Sequence, residues 1–531
     1  MHQALRIPEL IRSLFDQLSL ESSLAMALTS HTFLEPGLDR IWRKLCCFEQ
    51  LVASMPDDLF RKTSEDVGGG FDIHVLFLRR ALTAKDIERH KRFYAPKIRN
   101  LQFTIPFWGE EFTILSNEAF QALQVVTKGQ PGALTPRLEM VHGWLPVDEE
   151  IAKLKIDPFL NYGASYLSLF LGDHVHSLDL RAYPRLPLWM TTLRCVLEQS
   201  LSLRELTLTS DTTRSLEGLL DLQSWTKLER LSILVSDMTT STMNQISRLP
   251  RLSFLSIRLR SPLSTLADQS TRFQSLEELK ICADSIDSVI KSLDGLPRLK
   301  MLKRLNLVFF YSAPRDDVEA IIGTIQEQNP SNLESFVWKD NTFGIGPGVA
   351  PMDIDLDDTI DISPFFQFKH LRRLTIQIAQ TIQLTPLQVT QIPVSWPHIE
   401  ELILCGPALY YQPPLIDHTH ILSVMASCRS LTTIGLRFDS TRITGNETSP
   451  TSLSRIRAFH VDCLSPIVSP SRVLKFMSAN FSKTMPFLLQ NGSSFEEHDT
   501  APQPIGSFQR WEAVLEGWRK LMRDAAQSSQ S

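Results

Sequence analysis

The sequence predicts an α/β protein in which three short N-terminal helices precede a stack of strand–helix units. Three apolar residues spaced i, i+3 and i+5 recur along most of the chain, as in Leu228, Leu231 and Ile233. Stretches with the apolar period of an α-helix lie between these triplets, for example Ser285 to Leu296. Similar helical patterns also fill the first 45 residues.

The triplet predicts one strand per unit. Residues two apart on a strand share a face, so the second and third apolar residues point to the same side. A unit of one strand and one helix cannot bury its apolar face alone, so neighbouring units must stack. Eleven successive copies have these middle residues: Leu178, Leu206, Leu231, Leu255, Leu279, Leu305, Phe336, Leu374, Leu402, Ile434 and Phe459.

Two earlier copies precede these eleven, and only one of them is complete. Ile98, Leu101 and Phe103 form a complete triplet, whereas Leu138 and Met140 are interpreted as a copy that lacks its first apolar residue. After the last triplet, Ser469 to Phe481 is predicted as a helix. A second helix is predicted from Phe508 to Met522, with its apolar face covering the last unit.

The array resembles a leucine-rich-repeat solenoid, which implies a parallel sheet on the concave side and helices on the convex side. That family usually places Asn or Cys three residues after the third apolar position, and here Asn341 alone fits. The array is therefore degenerate. An eight-stranded α/β barrel is less consistent with the sequence, because polar residues such as Thr207, Ser232 and Lys280 interrupt the strands.

Three amphipathic helices are predicted before the array. The first begins at Pro8, whose fixed φ suits the first helical position, and the second begins near Ser22. The third is predicted after Pro36 and Gly37, and it ends at Leu45. So short a segment buries too little surface to be very stable alone. Its apolar positions are Leu10, Ile11, Leu14, Phe15, Leu18, Leu24, Leu28, Leu38, Ile41, Trp42 and Leu45.

This segment is similar to an F-box of the kind found in fungal F-box-like proteins. The resemblance departs at Ile7, where the family usually has Leu, and at Ser30, where it has Cys. It implies docking on a Skp-type adaptor, which connects to a cullin and a RING ubiquitin ligase. The alternative is an ordinary helical cap. The resemblance implies that the docking surface is formed or supported by Ile7, Pro8, Leu10, Leu14, Phe15, Leu24, Leu28 and Trp42.

A second surface is predicted on the strands. Outward-pointing strand positions are mixed in charge, with arginines prominent in the middle of the array. Such a surface suits a folded protein or peptide better than a polyanion, although each residue is also consistent with an ordinary solvated strand position. The predicted target-binding residues are Arg230, Phe254, Arg258, Arg304 and Arg373.

Composition narrows the class of partner and compartment. With 54 basic and 59 acidic residues and a net charge of -5, the chain has no overall bias toward nucleic acid or anionic membrane. Seven cysteines without a Cys-x-x-Cys pair argue against a zinc module or a disulfide framework, and they are interpreted as buried apolar side chains. No secretory leader or membrane span is expected, which predicts a cytoplasmic or nuclear protein.

No motif predicts catalysis, a cofactor or a metal. The acidic run from Asp353 to Asp358 resembles the start of an EF-hand but has Asp358 at the glycine position and Pro364 at the bidentate glutamate. His418 and His420 are predicted to lie in a loop. We therefore expect neither an enzyme nor a metal protein.

The sequence predicts five segments. They are an F-box-like helical domain (1–47), a connecting segment (48–95), a leucine-rich-repeat-like solenoid (96–485), a flexible linker (486–507), and a C-terminal capping helix with its tail (508–531). The predicted function is a substrate receptor in an SCF-type ubiquitin ligase. The alternative is a repeat scaffold without a link to ubiquitin transfer.

Overall fold

The fold is taken from a computed structural model of the 531-residue chain. The residues that it describes are 7–66, 72–102, 112–142, 166–182, 187–199, 202–210, 225–234, 238–263, 272–296, 299–310, 315–328, 332–340, 359–378, 380–405, 413–449, 453–462, 465–482, 485–490 and 507–528.

Thirteen α-helices are found among these residues. They are α1 (Pro8–Gln17), α2 (Leu20–Ala27), α3 (His31–Trp42), α4 (Phe48–Val52), α5 (Asn117–Val126), α6 (Pro187–Gln199), α7 (Thr240–Ile246), α8 (Ile286–Gly295), α9 (Arg315–Gln328), α10 (Pro386–Ser395), α11 (His418–Ser427), α12 (Pro470–Asn480) and α13 (Ser507–Ser528).

The strands are short, and most contain the second residue of a predicted triplet. They are β1 (Lys44–Leu45), β2 (Phe60–Asp66), β3 (Asp72–Leu78), β4 (Asn100–Gln102), β5 (Phe112–Leu115), β6 (Met140–His142), β7 (Ser177–Ala182), β8 (Glu205–Ser210), β9 (Arg230–Leu234), β10 (Phe254–Leu259), β11 (Glu278–Ala283), β12 (Arg304–Phe309), β13 (Ser335–Asp340), β14 (Thr359–Ile360), β15 (Arg373–Gln377), β16 (Thr381–Ile382), β17 (Glu401–Ile403), β18 (Thr433–Gly435), β19 (Ala458–Asp462) and β20 (Phe487–Gln490).

The chain divides into two compact units, Met1–Leu252 and Ser253–Ser531. In the first unit, β1, β4, β6, β7, β8 and β9 pair in that order, and every pair is parallel. The sheet thus begins at β1, within the segment predicted to be only helical. A separate three-stranded sheet of β2, β3 and β5 fills much of the predicted connecting segment and the residues that follow.

The second unit contains nine described strands in one parallel row, from β10 through β11, β12, β13, β15, β17, β18 and β19 to β20. The pairing register aligns the middle residues of successive triplets, so Leu255 lies opposite Leu279 and Leu279 opposite Leu305. Both units are therefore mixed α/β arrays built on a parallel sheet, as the triplet pattern predicts.

Backbone hydrogen bonds keep successive strands in register where each strand begins. The carbonyl oxygen of Glu277 accepts from the N–H groups of Lys303 (2.8 Å) and Arg304 (2.9 Å). Carbonyl oxygens at the start of other strands accept in the same way, from Arg43 to Arg204 in the first unit and from Ser253 to Thr432 in the second. These bonds need no particular side chain. This explains how the array stacks regularly although the asparagine ladder is largely absent.

Burial follows the triplet. The first residue of each triplet enters the strand from a turn, and the second and third point to the helix-bearing side. In the copy at β11, Leu276, Leu279 and Ile281 are all buried. The residue between the paired apolar ones, here Lys280, is only half-buried on the opposite face.

Two predictions about the strands are corrected. The register places Val141 opposite both Leu101 and Leu178, so the irregular copy contains Leu138 and Val141 and does have its first apolar residue. At the other end, β20 pairs with β19 in the segment predicted as a linker, so that prediction is wrong for Phe487–Gln490. The rest of the predicted linker, residues 491–506, lies outside the described residues.

The C-terminal helix α13 packs against the last strand, as predicted. Its residues Trp511, Val514 and Trp518 are buried, and the Nε1–H groups of the two indoles donate to the carbonyl oxygens of Ser465 and Met485, both at 2.8 Å. The ring of Trp511 lies 6.1 Å from that of Phe487 in β20. Buried indoles need such partners, so α13 is an integral part of the second unit.

Candidate functional site

Helix α1 has two apolar faces. Pro8 occupies its first turn, where the missing N–H costs no hydrogen bond. Ile11 and Phe15 are buried, whereas Ile7 at the N-cap, Leu10 and Leu14 are 46%, 50% and 39% exposed. Because residues three, four and seven apart share a helix face, these three exposed side chains lie along one stripe.

Helix α2 turns its leucines outward and its small residues inward. The Ser19 hydroxyl caps its N-terminus by accepting from the N–H of Ser22 at 3.1 Å, so the helix begins earlier than predicted. Ser23 and Ala27 are buried. The leucines on this helix and at its C-cap are exposed: Leu20, Leu24 and Leu28, at 56%, 52% and 75%.

The small residues of α2 are buried because α3 approaches closely. A Cβ atom added to Gly37 of α3 would lie 2.4 Å from the Ala27 Cβ and 3.2 Å from the Phe15 ring. Helix α3 starts at His31, capped by Ser30, and contains Pro36, so the predicted start after Gly37 is wrong. The predicted C-terminal part of the third helix is also wrong, since Leu45 belongs to β1.

Aromatic side chains anchor the three helices to the rest of the first unit. The ring of Phe15 lies 6.4 Å from that of Phe33, in an edge arrangement within the helical core. The indole of Trp42 lies 4.4 Å from the ring of Tyr94, in the π-helical turn His90–Tyr94. Phe15 thus holds α1 on α3, and Trp42 holds α3 on the turn, and neither contact uses the exposed leucines.

The exposed apolar side chains of α1 and α2 make up the candidate site, which we call the N-terminal apolar surface. Five of its six members were predicted, and Leu20 was missed although it shares the four-residue spacing of Leu24 and Leu28. Pro8 is also exposed, whereas Phe15 and Trp42 are buried and can only support the surface. Its members are Ile7, Leu10, Leu14, Leu20, Leu24 and Leu28.

The second predicted surface lies on the open face of the strands. Phe254, Arg304 and Arg373 occupy one row across the second unit, and each precedes a buried leucine. Arg304 pairs with Glu278 at 2.7 Å, and Arg373 pairs with Glu401 at 3.0 Å. Each carboxylate belongs to a neighbouring strand.

The other two arginines of this surface also have acidic neighbours. Arg258 lies 3.1 Å from Asp284 and 4.7 Å from the ring centre of Phe310. In the first unit, Arg230 lies 3.9 Å from Glu205. All four guanidinium groups therefore have a carboxylate within reach, which offsets part of their positive charge.

The predicted histidine loop is a helix. His418 and His420 lie in the first turn of α11, where the Asp417 carboxylate accepts from the N–H of Thr419 at 3.0 Å and lies 2.7 Å from the His420 Nδ1. Burial opposes ionisation of Asp417, but these hydrogen bonds lower its pKa to about 2. The pair of histidines is thus part of a helix cap.

Metal-binding clusters, disulfides and membrane-spanning helices are absent from the residues that the structure describes. No three His, Cys, Asp or Glu side chains there converge on a point where a metal ion could bind, and the acidic run 353–358 lies outside those residues. The described cysteines form no disulfide, and Cys46 and Cys195 are exposed, contrary to their predicted burial. No described helix combines the length and apolar character needed to span a bilayer.

Comparison with known proteins gives little further. No protein-family profile matches the sequence, and no curated protein matches it. The chain is similar to the leucine-rich repeat-containing protein LegL7 from Legionella pneumophila, with 13% identity, TM-score 0.26, and coverage of 64% of this chain and 91% of that one. It is also similar to a chain of the Drosophila Toll–Spatzle complex, with 12% identity, TM-score 0.31, and coverage of 76% and 59%. Both TM-scores are low, so neither likeness adds to the description above.

Proposed function

We propose that this protein is a non-catalytic substrate receptor of a cullin–RING ubiquitin ligase. In this proposal the N-terminal apolar surface docks a Skp-type adaptor, and the strand face binds a protein target. The resemblance of the first 45 residues to an F-box supplies the identity of the adaptor. The placement of side chains on α1 and α2 is the observation that carries the proposal.

That placement is unusual for helices that need no partner. In α2, Ser23 and Ala27 are buried while Leu20 and Leu24 face outward, which reverses the usual preference for leucine inside. Exposed leucines scattered singly are ordinary on protein surfaces, but six on two adjoining short helices are typical of an interaction site. Burial of each by a partner would contribute on the order of 1 kcal/mol, against the entropic cost of association.

Ubiquitin transfer would then be promoted by position alone. A receptor that holds the target near the ubiquitin-carrying enzyme raises the effective concentration of target lysines, and it needs no reactive group of its own. The strand face supports such a role, since its paired charges suit a folded protein or peptide. We place the protein in the cytoplasm or nucleus, and we assign it no cofactor.

Co-purification with a recombinant Skp-type adaptor tests this proposal. The intact chain would be compared with a triple variant carrying Ile7→Ala, Pro8→Ala and Leu14→Asp, and with the single variant Leu24→Asp. Val125→Asp is a matched control, because Val125 is 75% exposed on α5 in the same unit and lies outside the N-terminal apolar surface. Circular dichroism would verify that each variant is folded.

Retention of the adaptor by the intact chain and by Val125→Asp, with loss in the triple variant and in Leu24→Asp, would support the proposal. Failure of the well-folded intact chain to bind any Skp-type adaptor would refute it. The protein would then be a repeat scaffold whose N-terminal helices serve another partner.

A further inference from the structure

A cavity of about 610 Å³ lies beneath the N-terminal helices in the first unit. Its walls come from α1, α3, the turn that contains Arg92 and Lys97, and the residues that lead into β4 and β6. It is separate from the N-terminal apolar surface, none of whose six members lines it. Its volume is in the range of sites that hold small molecules.

Positive charge predominates in this cavity although the whole chain is acidic. Seven cationic side chains and four carboxylates line it, which leaves an excess of three positive charges. Three of the cations are paired with those carboxylates: Arg43 with Asp16, Arg99 with Glu139, and Lys97 with both Glu35 and Asp39. Burial alone would lower the pKa of Lys97, but its bonds to Asp39 and Glu35 raise it.

Four arginines remain without a carboxylate partner among the described residues. They are Arg12 on α1, Arg40 on α3, Arg92 in the turn and Arg137 before β6. The guanidinium of Arg92 lies over the Phe93 ring at 5.1 Å. Arg12, Arg92 and Arg137 are exposed, so water screens much of the repulsion among these like charges, and an anion held between them would remove the rest.

Arg40 gives a second, independent indication. This residue is half-buried, and its Nε atom is buried with no hydrogen-bond partner in the described structure. A buried guanidinium N–H without an acceptor is costly. The Nε–H is closed to solvent, so an anion in the cavity would reach Arg40 through the terminal guanidinium nitrogens, for which oxyanions are the best partners. Arginine is also the side chain best suited to hold phosphate through paired N–H groups.

We propose that this cavity binds a small, multiply charged phosphate compound. Arg12 and Arg40 would hold it from the helices, Arg92 from the turn, and Arg137 from the residues that lead into β6. The bound anion would thereby fasten the N-terminal helices to the sheet of the same unit. The proposal is independent of adaptor binding, since it uses other residues and another ligand.

Isothermal titration calorimetry with inorganic tripolyphosphate tests the proposal on the full chain at low ionic strength. We expect saturable binding, weakened about tenfold by Arg92→Ala, Arg137→Ala or Arg40→Gln, because each variant removes charge-assisted hydrogen bonds. Arg248→Ala is the matched control, since Arg248 is exposed in the same unit and lies outside the cavity. Tripolyphosphate should also raise the melting temperature of the intact chain.

Three results would overturn the proposal. One is the absence of binding by the folded chain. Another is an equal loss of affinity in Arg248→Ala, which would indicate general attraction of anions. The third is a duplex oligonucleotide that competes through the same arginines and binds more tightly, which would make the surface a contact for nucleic acid backbones.

Discussion

The N-terminal helices and the C-terminal helix differ in how much of their apolar surface is buried. Helix α13 buries its apolar face, with Trp511 and Trp518 both bonded to backbone carbonyl groups of the second unit. Helices α1 and α2 bury Ile11 and Phe15 but leave six other apolar side chains exposed. Both segments are amphipathic in sequence.

The difference indicates what each segment is for. Helix α13 buries Trp511, Val514 and Trp518 within its own unit and leaves Phe508 41% exposed, so most of its apolar face is explained by stability. The exposed leucines of α1 and α2 are only partly covered within the described structure, so contact with another molecule is their natural explanation. The predictions below test this contrast, beginning with the largest expected effect.

Truncation of Trp518 should be the most damaging change. Trp518→Ala removes a buried indole and leaves the Met485 carbonyl without its donor, so we expect a loss of about 3–5 kcal/mol in the free energy of unfolding. Urea unfolding followed by circular dichroism measures it, with Glu512→Ala on the exposed face of α13 as control. A loss below that of the control would mean that α13 is not integral to the second unit.

Acid should destabilise the turn His90–Tyr94, which contacts Trp42 of α3 through Tyr94. Burial lowers the pKa of His90 from 6.5 to about 4, although Nε2 bonds the Leu134 carbonyl at 2.9 Å. The unfolded chain therefore binds more protons in this interval, and acid favours unfolding. The contribution of His90 is complete above pH 6.5, and about 3 kcal/mol of it is lost as the pH falls to 4.

Urea midpoints measured at several pH values test the effect of His90. Between pH 4 and 6.5, the free energy of unfolding should depend less on pH in His90→Gln than in the intact chain. Carboxylates titrate in both proteins, so the difference between the two curves isolates the contribution of His90. An unchanged slope in the variant would show that His90 does not carry the effect.

Two glycines offer a matched comparison between the segments. Gly37→Ala would place Cβ 2.4 Å from the Ala27 Cβ, which cannot move alone, so we expect a net loss of about 1–2 kcal/mol despite better helix propensity. In Gly517→Ala the nearest atom, at 2.7 Å, is the end of the flexible Leu474 side chain, and we expect little change. Thermal unfolding of both variants measures the contrast, and equal effects would contradict it.

The ion pairs of the strand face should matter less. Arg304→Ala breaks the pair with Glu278, and partly exposed pairs of this kind contribute up to about 1 kcal/mol. A double-mutant cycle with Glu278→Ala, measured at low and high salt, isolates the interaction free energy of this ion pair. A coupling energy well above this size would mean that the pairs organise the array rather than line its surface.

The smallest effect on stability is expected at the N-terminal apolar surface. Leu24→Asp replaces a side chain that is about half exposed, so the free energy of unfolding should change by no more than about 0.5 kcal/mol. Phe15→Ala, one helix away and buried, should cost about 3–5 kcal/mol. If Leu24→Asp also destabilised the fold strongly, the leucine would be a core residue and not a contact for a partner.

The sequence by itself determined the array and its register. A triplet that recurs every 24 to 38 residues sets one strand per unit, because the period of a strand places two apolar residues on one face. The pattern predicted a strand at each of the eleven copies from Leu178 to Phe459, and helical periodicity predicted α13. The triplet pattern missed β20 and chose Met140 instead of Val141, because each of these triplets lacks one apolar residue: Thr484 stands three residues before Phe487, and Gly143 stands two residues after Val141.

The tertiary structure alone decided which apolar face of α1 and α2 is covered. The apolar residues of α1 and α2 follow helical periods on two sides, and only the approach of α3 at Gly37 determines that Ala27 lies inside and Leu24 outside. The same holds for the basic cavity, whose arginines are as far apart in sequence as Arg12 and Arg137. Sequence periodicity shows which residues share a face of a helix or strand. Whether another segment covers that face depends on contacts between residues that are distant in sequence.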